Sequence, residues 1–129
     1  MLDHRTRTLL AALVLALPNA ALAGEADFQE ANIAEFGTPY FGDAKDINGL
    51  TPLEGVRFKA QLKGTYRFFL ISTDDEGRFR RDGLGADVNS DNVEITCEKD
   101  GYRTVDLLRR RTSSKRNAPV EVECLMERR

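Results

Sequence analysis

The chain has 129 residues with 19 basic and 21 acidic side chains, a formal net charge of −2, one histidine and two cysteines. A balance this close to neutral argues against nucleic acid as a partner, because phosphate binding draws on a strongly cationic surface. The length is that of a single domain, able to bury about 65% of its unfolded surface around one core.

The first residues read as an export address. Arg5 and Arg7 give a positive start, Leu9 to Leu17 is an unbroken apolar run, and Ala21-Leu22-Ala23 supplies the small residues of a cleavage site. The apolar run is far short of the roughly 20 residues a membrane-spanning helix needs, so the mature chain is expected to carry no transmembrane anchor. No cysteine stands near the cut, which argues against a lipid anchor, and the two arginines are not an adjacent twin-arginine pair. The predicted organisation is a signal peptide over 1–23, an acidic arm over 24–37 and a folded domain over 38–129, delivered to a periplasm or outside the cell. His4 is the lone histidine and leaves with the leader. The mature protein then lacks the side chain that serves most often as general base or transition-metal ligand, so Ser-His-Asp and Cys-His catalysis are out of reach.

Charge is uneven along the rest. Glu25, Asp27, Glu30, Glu35, Asp43, Asp46 and Glu54 face Lys45 alone before residue 57, and the remainder is mildly basic. Residues 28–36 read either as a short helix or as a packed arm. From Val56 the pattern has period two: Val56, Phe58, Ala60 and Leu62 alternate with Arg57, Lys59, Gln61 and Lys63, as a half-buried strand requires. Gly64-Thr65 permits a turn. Tyr66 to Ser72 is apolar on both parities except at Arg67 and is predicted to be a more central strand. Asp74-Asp75-Glu76-Gly77 is a turn signal, and Arg78 to Arg81 a short returning strand with Phe79 inward.

Further on, Val93, Ile95 and Cys97 share one parity. Asp100-Gly101 turns the chain, and Tyr102 to Leu108 returns. The polar, basic segment from Arg109 to Ala118 is predicted to be a loop, and Val120, Val122 and Cys124 alternate with glutamates in a last strand. Strands at this spacing without a convincing helix between them predict an all-β fold, a single Greek-key-like β-sandwich of about seven strands.

Phe41-Gly42-Asp43, Asp46-Ile47-Asn48-Gly49, Pro52-Leu53-Glu54-Gly55-Val56, Thr73-Asp74-Asp75-Glu76-Gly77-Arg78-Phe79 and Lys99-Asp100-Gly101-Tyr102 fall in a recognisable order. Over about residues 38–108 the chain resembles the carboxypeptidase regulatory-like domains, which are transthyretin-like or prealbumin-like sandwiches of exported proteins. The resemblance implies the architecture and says little of activity, since its motifs are turn glycines, turn acids and core aromatics. Enzymes of related fold, the transthyretin-like hydrolases of purine breakdown and the iron-dependent ring-cleaving dioxygenases, rely on histidines that the mature chain lacks. Against the family's pattern, Tyr40 to Lys45 is poor in β-branched residues, which implies a short or distorted opening strand. Gly85 to Asn92 implies an enlarged loop.

Two cysteines in a small exported domain favour a Cys97–Cys124 disulfide over two buried thiols. By chain entropy such a bond contributes on the order of 3.5 kcal/mol. In a plain meander the two strands would stand about 9.6 Å apart, beyond the roughly 7 Å between Cα atoms that a disulfide tolerates. The last strand is therefore expected either beside 93–97 in parallel or in the opposing sheet.

Candidate sites are few. Asp87, Asn89, Asp91 and, at the twelfth position, Glu98 imitate a calcium loop, although Asn92 replaces the turn glycine and a strand follows where a helix belongs. Asp74, Asp75 and Glu76 read as a hairpin tip. Arg109, Arg110, Arg111, Lys115 and Arg116 could meet an anionic partner such as lipid headgroups or an acidic polysaccharide, could receive the acidic arm, or could be a solvated loop. Tyr40, Phe41, Tyr66 and Phe68 could stack on sugars or fill the core. No cofactor is expected. The expected function is that of a non-catalytic exported module contacting an unknown partner protein or envelope component. The alternative is a calcium- or carbohydrate-binding protein, and an enzyme using paired carboxylates is the least favoured class.

Overall fold

The computed structural model describes residues 28–129; the predicted signal peptide and the start of the predicted acidic arm lie outside the described residues. A short helix, α1 (Glu30–Phe36), precedes seven strands: β1 (Tyr40–Asp46), β2 (Arg57–Leu62), β3 (Phe68–Ser72), β4 (Arg78–Arg81), β5 (Val93–Glu98), β6 (Tyr102–Arg111) and β7 (Val120–Arg128). They form a four-stranded sheet in the order β4-β1-β7-β6 and a three-stranded sheet in the order β3-β2-β5. The fold is the expected all-β sandwich, and no helix among the described residues is long and apolar enough to cross a membrane.

The core lies between the sheets and follows the period-two pattern. Phe58 and Ala60 of β2, Val93 and Cys97 of β5, and Val120, Val122, Cys124 and Met126 of β7 are buried with Tyr40 and Ala44 of β1. Ring pairs cross the interior, with Phe58 against Phe79 at 4.4 Å between centroids and Tyr40 against Phe69 at 5.7 Å. Such pairs contribute beyond the area they bury because the ring edges and faces are complementary in charge.

The two motif-rich stretches meet in one corner. The buried Thr73 hydroxyl donates to the Leu53 carbonyl at 2.6 Å and accepts from the Val56 N–H at 2.9 Å. The Asp74 carboxylate accepts from the N–H groups of Glu76 and Arg78. Gly77 has φ +76°, and a Cβ there would stand 2.9 Å from the Ala44 carbonyl oxygen, so the turn needs glycine. This corner carries the chain from one sheet to the other: β4 does not return beside β3 but pairs antiparallel with β1.

Other expectations are corrected in the same way. β6 pairs with β7 and not with β5, and it runs on through Arg111, so Arg109-Arg110-Arg111 is strand rather than loop. Charged side chains on both parities hid it, because an edge strand can leave both to solvent. β1 is neither short nor distorted. It lies between β4 and β7, parallel to β7, and a Cβ at Gly42 would fall 1.7 Å from the Val122 carbonyl oxygen. The missing side chain lets the strands close, which β-branching cannot do there. The strand expected to be central, β3, is an edge strand. Its second apolar parity faces outward, and no strand among the described residues lies beyond it.

Cys97 of β5 and Cys124 of β7 are bonded, with Cα atoms 6.6 Å apart, so the last strand took the opposing-sheet alternative. Replacing both cysteines by serine is expected to lower the unfolding free energy by about 3 kcal/mol in chemical denaturation. An unchanged midpoint would show that the core alone fixes the sheet pairing.

Candidate interaction surface

The predicted calcium ligands are not brought together. Asp87 is held by the guanidinium of Arg67, with Oδ1 2.9 Å from Nη1. The Asn89 side chain caps its own turn by accepting from the Asp91 N–H at 2.9 Å. Glu98 stands at the far end of β5, about 16 Å along the strand from Val93. No group of three or more metal-ligating side chains occurs among the described residues. The turn signals were correctly placed in a loop, but a strand separates the twelfth position from the rest.

The predicted basic patch divides. Arg109 bends inward and donates from Nη1 to the Val93 carbonyl and from Nη2 to the Ser90 carbonyl. Arg110 pairs with Glu121 across the β6–β7 ladder. Arg111 donates to the Lys115 carbonyl at 2.8 Å. Lys115 and Arg116 stay on the exposed connection to β7. The stacking set divides too: Tyr40 is buried in the core, Phe41 is in the same sheet, Phe68 belongs to the other, and Tyr66 lies in the turn before it.

The outer face of the four-stranded sheet is a lattice of ion pairs. Lys45 lies 3.6 Å from Asp43 and 3.4 Å from Glu123, and Arg103 pairs with Glu127. Burial, then the charges of Glu123 and Glu121, push the Asp43 carboxyl above its ordinary range against the pull of Lys45. The Asp43 charge in turn raises Lys45. Elsewhere the hydrogen bond from Arg67 holds Asp87 below the ordinary carboxylate range, and backbone donors at the turn do the same for Asp74. Water-facing pairs of this kind each contribute at most about 1 kcal/mol.

The edge of the other sheet is different in kind. The Leu62 N–H donates to the Arg67 carbonyl and the Thr73 N–H to the Val56 carbonyl, on either side of the β2–β3 register. Antiparallel alternation then gives Phe69 and Ile71 to the ladder, and turns the N–H and C=O groups of Phe68, Leu70 and Ser72 toward the open edge. The side chains of the same residues face outward. Phe68 is 49% exposed, Leu70 59% and the preceding Tyr66 96%. Lys59 lies over the Phe68 ring at 5.5 Å. Unpaired backbone beside exposed apolar side chains is a template for a further strand.

The opposite edge of that sheet, β5, is held at both ends. The same alternation points the carbonyls of Val93 and Cys97 away from β2, and each is taken by a side chain of β6: Val93 by Arg109, and Cys97 by the Thr104 hydroxyl at 2.9 Å. The sequence does not show this, since a threonine and one arginine of three look like surface. Compared with known proteins, the chain matches no family model, no curated protein and no solved structure.

Arg109→Ala is expected to cost about 1–2 kcal/mol of stability by orphaning two carbonyls. Arg110→Ala should cost less than about 1 kcal/mol. Equal losses in denaturant titrations would contradict the clamp. The carboxylates also predict an order of titration. The raised Asp43 disfavours its charged form in the folded chain, so its contribution to stability grows as pH falls from above its folded value to below its unfolded one. Asp87 and Asp74 behave oppositely: their contributions are present above the ordinary carboxylate value and are lost as pH falls through their depressed ones. Side-chain carboxyl NMR shifts should show Asp43 protonating first and the other two last.

Proposed function

We propose that the protein is a non-catalytic exported module of the carboxypeptidase regulatory-like kind, acting by contact with a partner protein or envelope component. The observation that carries this reading is the open edge of β3, where the backbone of Phe68, Leu70 and Ser72 and the side chains of Phe68 and Leu70 face solvent together. A polypeptide laid along it would gain main-chain hydrogen bonds from the edge and apolar contact from the alternate side chains. The reading is further supported by the sequence: its one histidine is His4, so residues 28–129 contain no imidazole to serve as base or ligand. The leader-like start, the cross-sheet disulfide and the turn motifs shared with carboxypeptidase regulatory-like domains support export and kinship.

Affinity capture tests this reading directly. The protein used as bait on an envelope extract should retain a polypeptide, and Leu70→Lys should release it, because the substitution puts a charge at the middle of the edge without touching the core. Capture undiminished by Leu70→Lys would move the contact away from β3.

A further inference from the structure

Resting on that reading, we infer that the strand which pairs with β3 is β3 of a second copy of this chain, joined antiparallel about a two-fold axis at Leu70. Leu70 is the midpoint of Phe68–Ser72, and its N–H and C=O both face the open edge. In this register the two Leu70 residues exchange hydrogen bonds, and each Phe68 faces the copy's Ser72. Phe68 and Leu70 of one copy then continue into Leu70 and Phe68 of the other on one face, where diagonal neighbours lie close enough for an aromatic ring to reach. The two three-stranded sheets become one continuous sheet.

The charges around the strand favour this occupant. Lys63, in the turn after β2, and Arg67, already paired with Asp87, precede β3, and Asp74, Asp75 and Glu76, the last paired with Arg78, follow its end. A strand that is cationic at one end and anionic at the other is complementary to itself when turned round. The two-fold brings the turn that carries Lys63 in each copy toward the acidic turn of the other, twice per dimer. A parallel approach would set like charge against like. Closed two-fold pairing also uses the same patch on both copies, so it ends at the dimer and does not propagate. A single strand pair buries little area, which sets the association in the transient class.

Sedimentation equilibrium on the purified protein across a concentration series tests the inference. The weight-average mass should climb toward twice that of the monomer, and high salt should lower it. Leu70→Lys, at an exposed position, should hold the protein at the monomer mass with an unchanged circular dichroism spectrum. Lys63→Glu and Asp75→Lys should each weaken association by about threefold to tenfold, and the two together should restore it, since the pair only exchanges its signs. The inference is overturned by a wild-type mass that stays monomeric to the solubility limit, by a Leu70→Lys protein that dimerises like wild type, or by a double reversal no tighter than the singles. A monomeric protein that still captures an envelope polypeptide through Leu70 would remove the second copy as occupant and leave the contact reading standing.

Discussion

The attachment of β5 to the opposing sheet governs what the rest of the sandwich presents to solvent. Three bonds make it. Arg109 holds the Val93 carbonyl at the start of the strand, and at its end the Thr104 hydroxyl holds the Cys97 carbonyl while Cys97 itself is bonded to Cys124. The covalent bond constrains the unfolded chain, and the two hydrogen bonds occupy backbone acceptors that would otherwise meet water or another strand. Sheet order, core packing and the parallel seat of β1 on β7 are consistent with that closure and gain from it.

Every sheet edge in the molecule can be compared on this footing. The β4 edge carries Arg78, Arg80 and Arg81 within four residues, and β6 carries Arg103, Asp106, Arg110 and Arg111 with an irregularity between Thr104 and Asp106. Charges and bulges of this kind discourage strand addition. β5 is capped by side chains at the Val93 and Cys97 carbonyls. β3 has neither device along its outward parity, only Phe68, Leu70 and Ser72. Among the described residues, β3 is the edge that joins outward-facing backbone to an apolar outward parity.

Much of the fold was legible because alternation is a direct image of a half-buried strand. Val56 to Leu62, Val93 to Cys97 and Val120 to Cys124 were placed on the correct faces from parity alone, and the spacing of the cysteines limited the last strand to two positions. What alternation cannot show is which strands are neighbours. β4 and β6 looked like hairpin returns and instead cross between sheets, through turns whose residues suit either path. β3 looked central because apolar residues on both parities normally mean burial on both faces; here one of the two faces water. The open edge was therefore hidden inside the segment that seemed most buried. Arg109 was concealed by the opposite effect: in a run of three arginines nothing in the sequence distinguishes the one that turns inward to cap a carbonyl.

Amide hydrogen exchange in dilute solution, where self-association is negligible, tests the openness of β3 most directly. The account predicts alternation along the strand, with the N–H groups of Phe69 and Ile71 protected by β2 and those of Phe68 and Leu70 exchanging rapidly. A Leu70 amide protected to the same degree as its two neighbours would mean that the edge is covered within the monomer, and the contact surface described here would not exist.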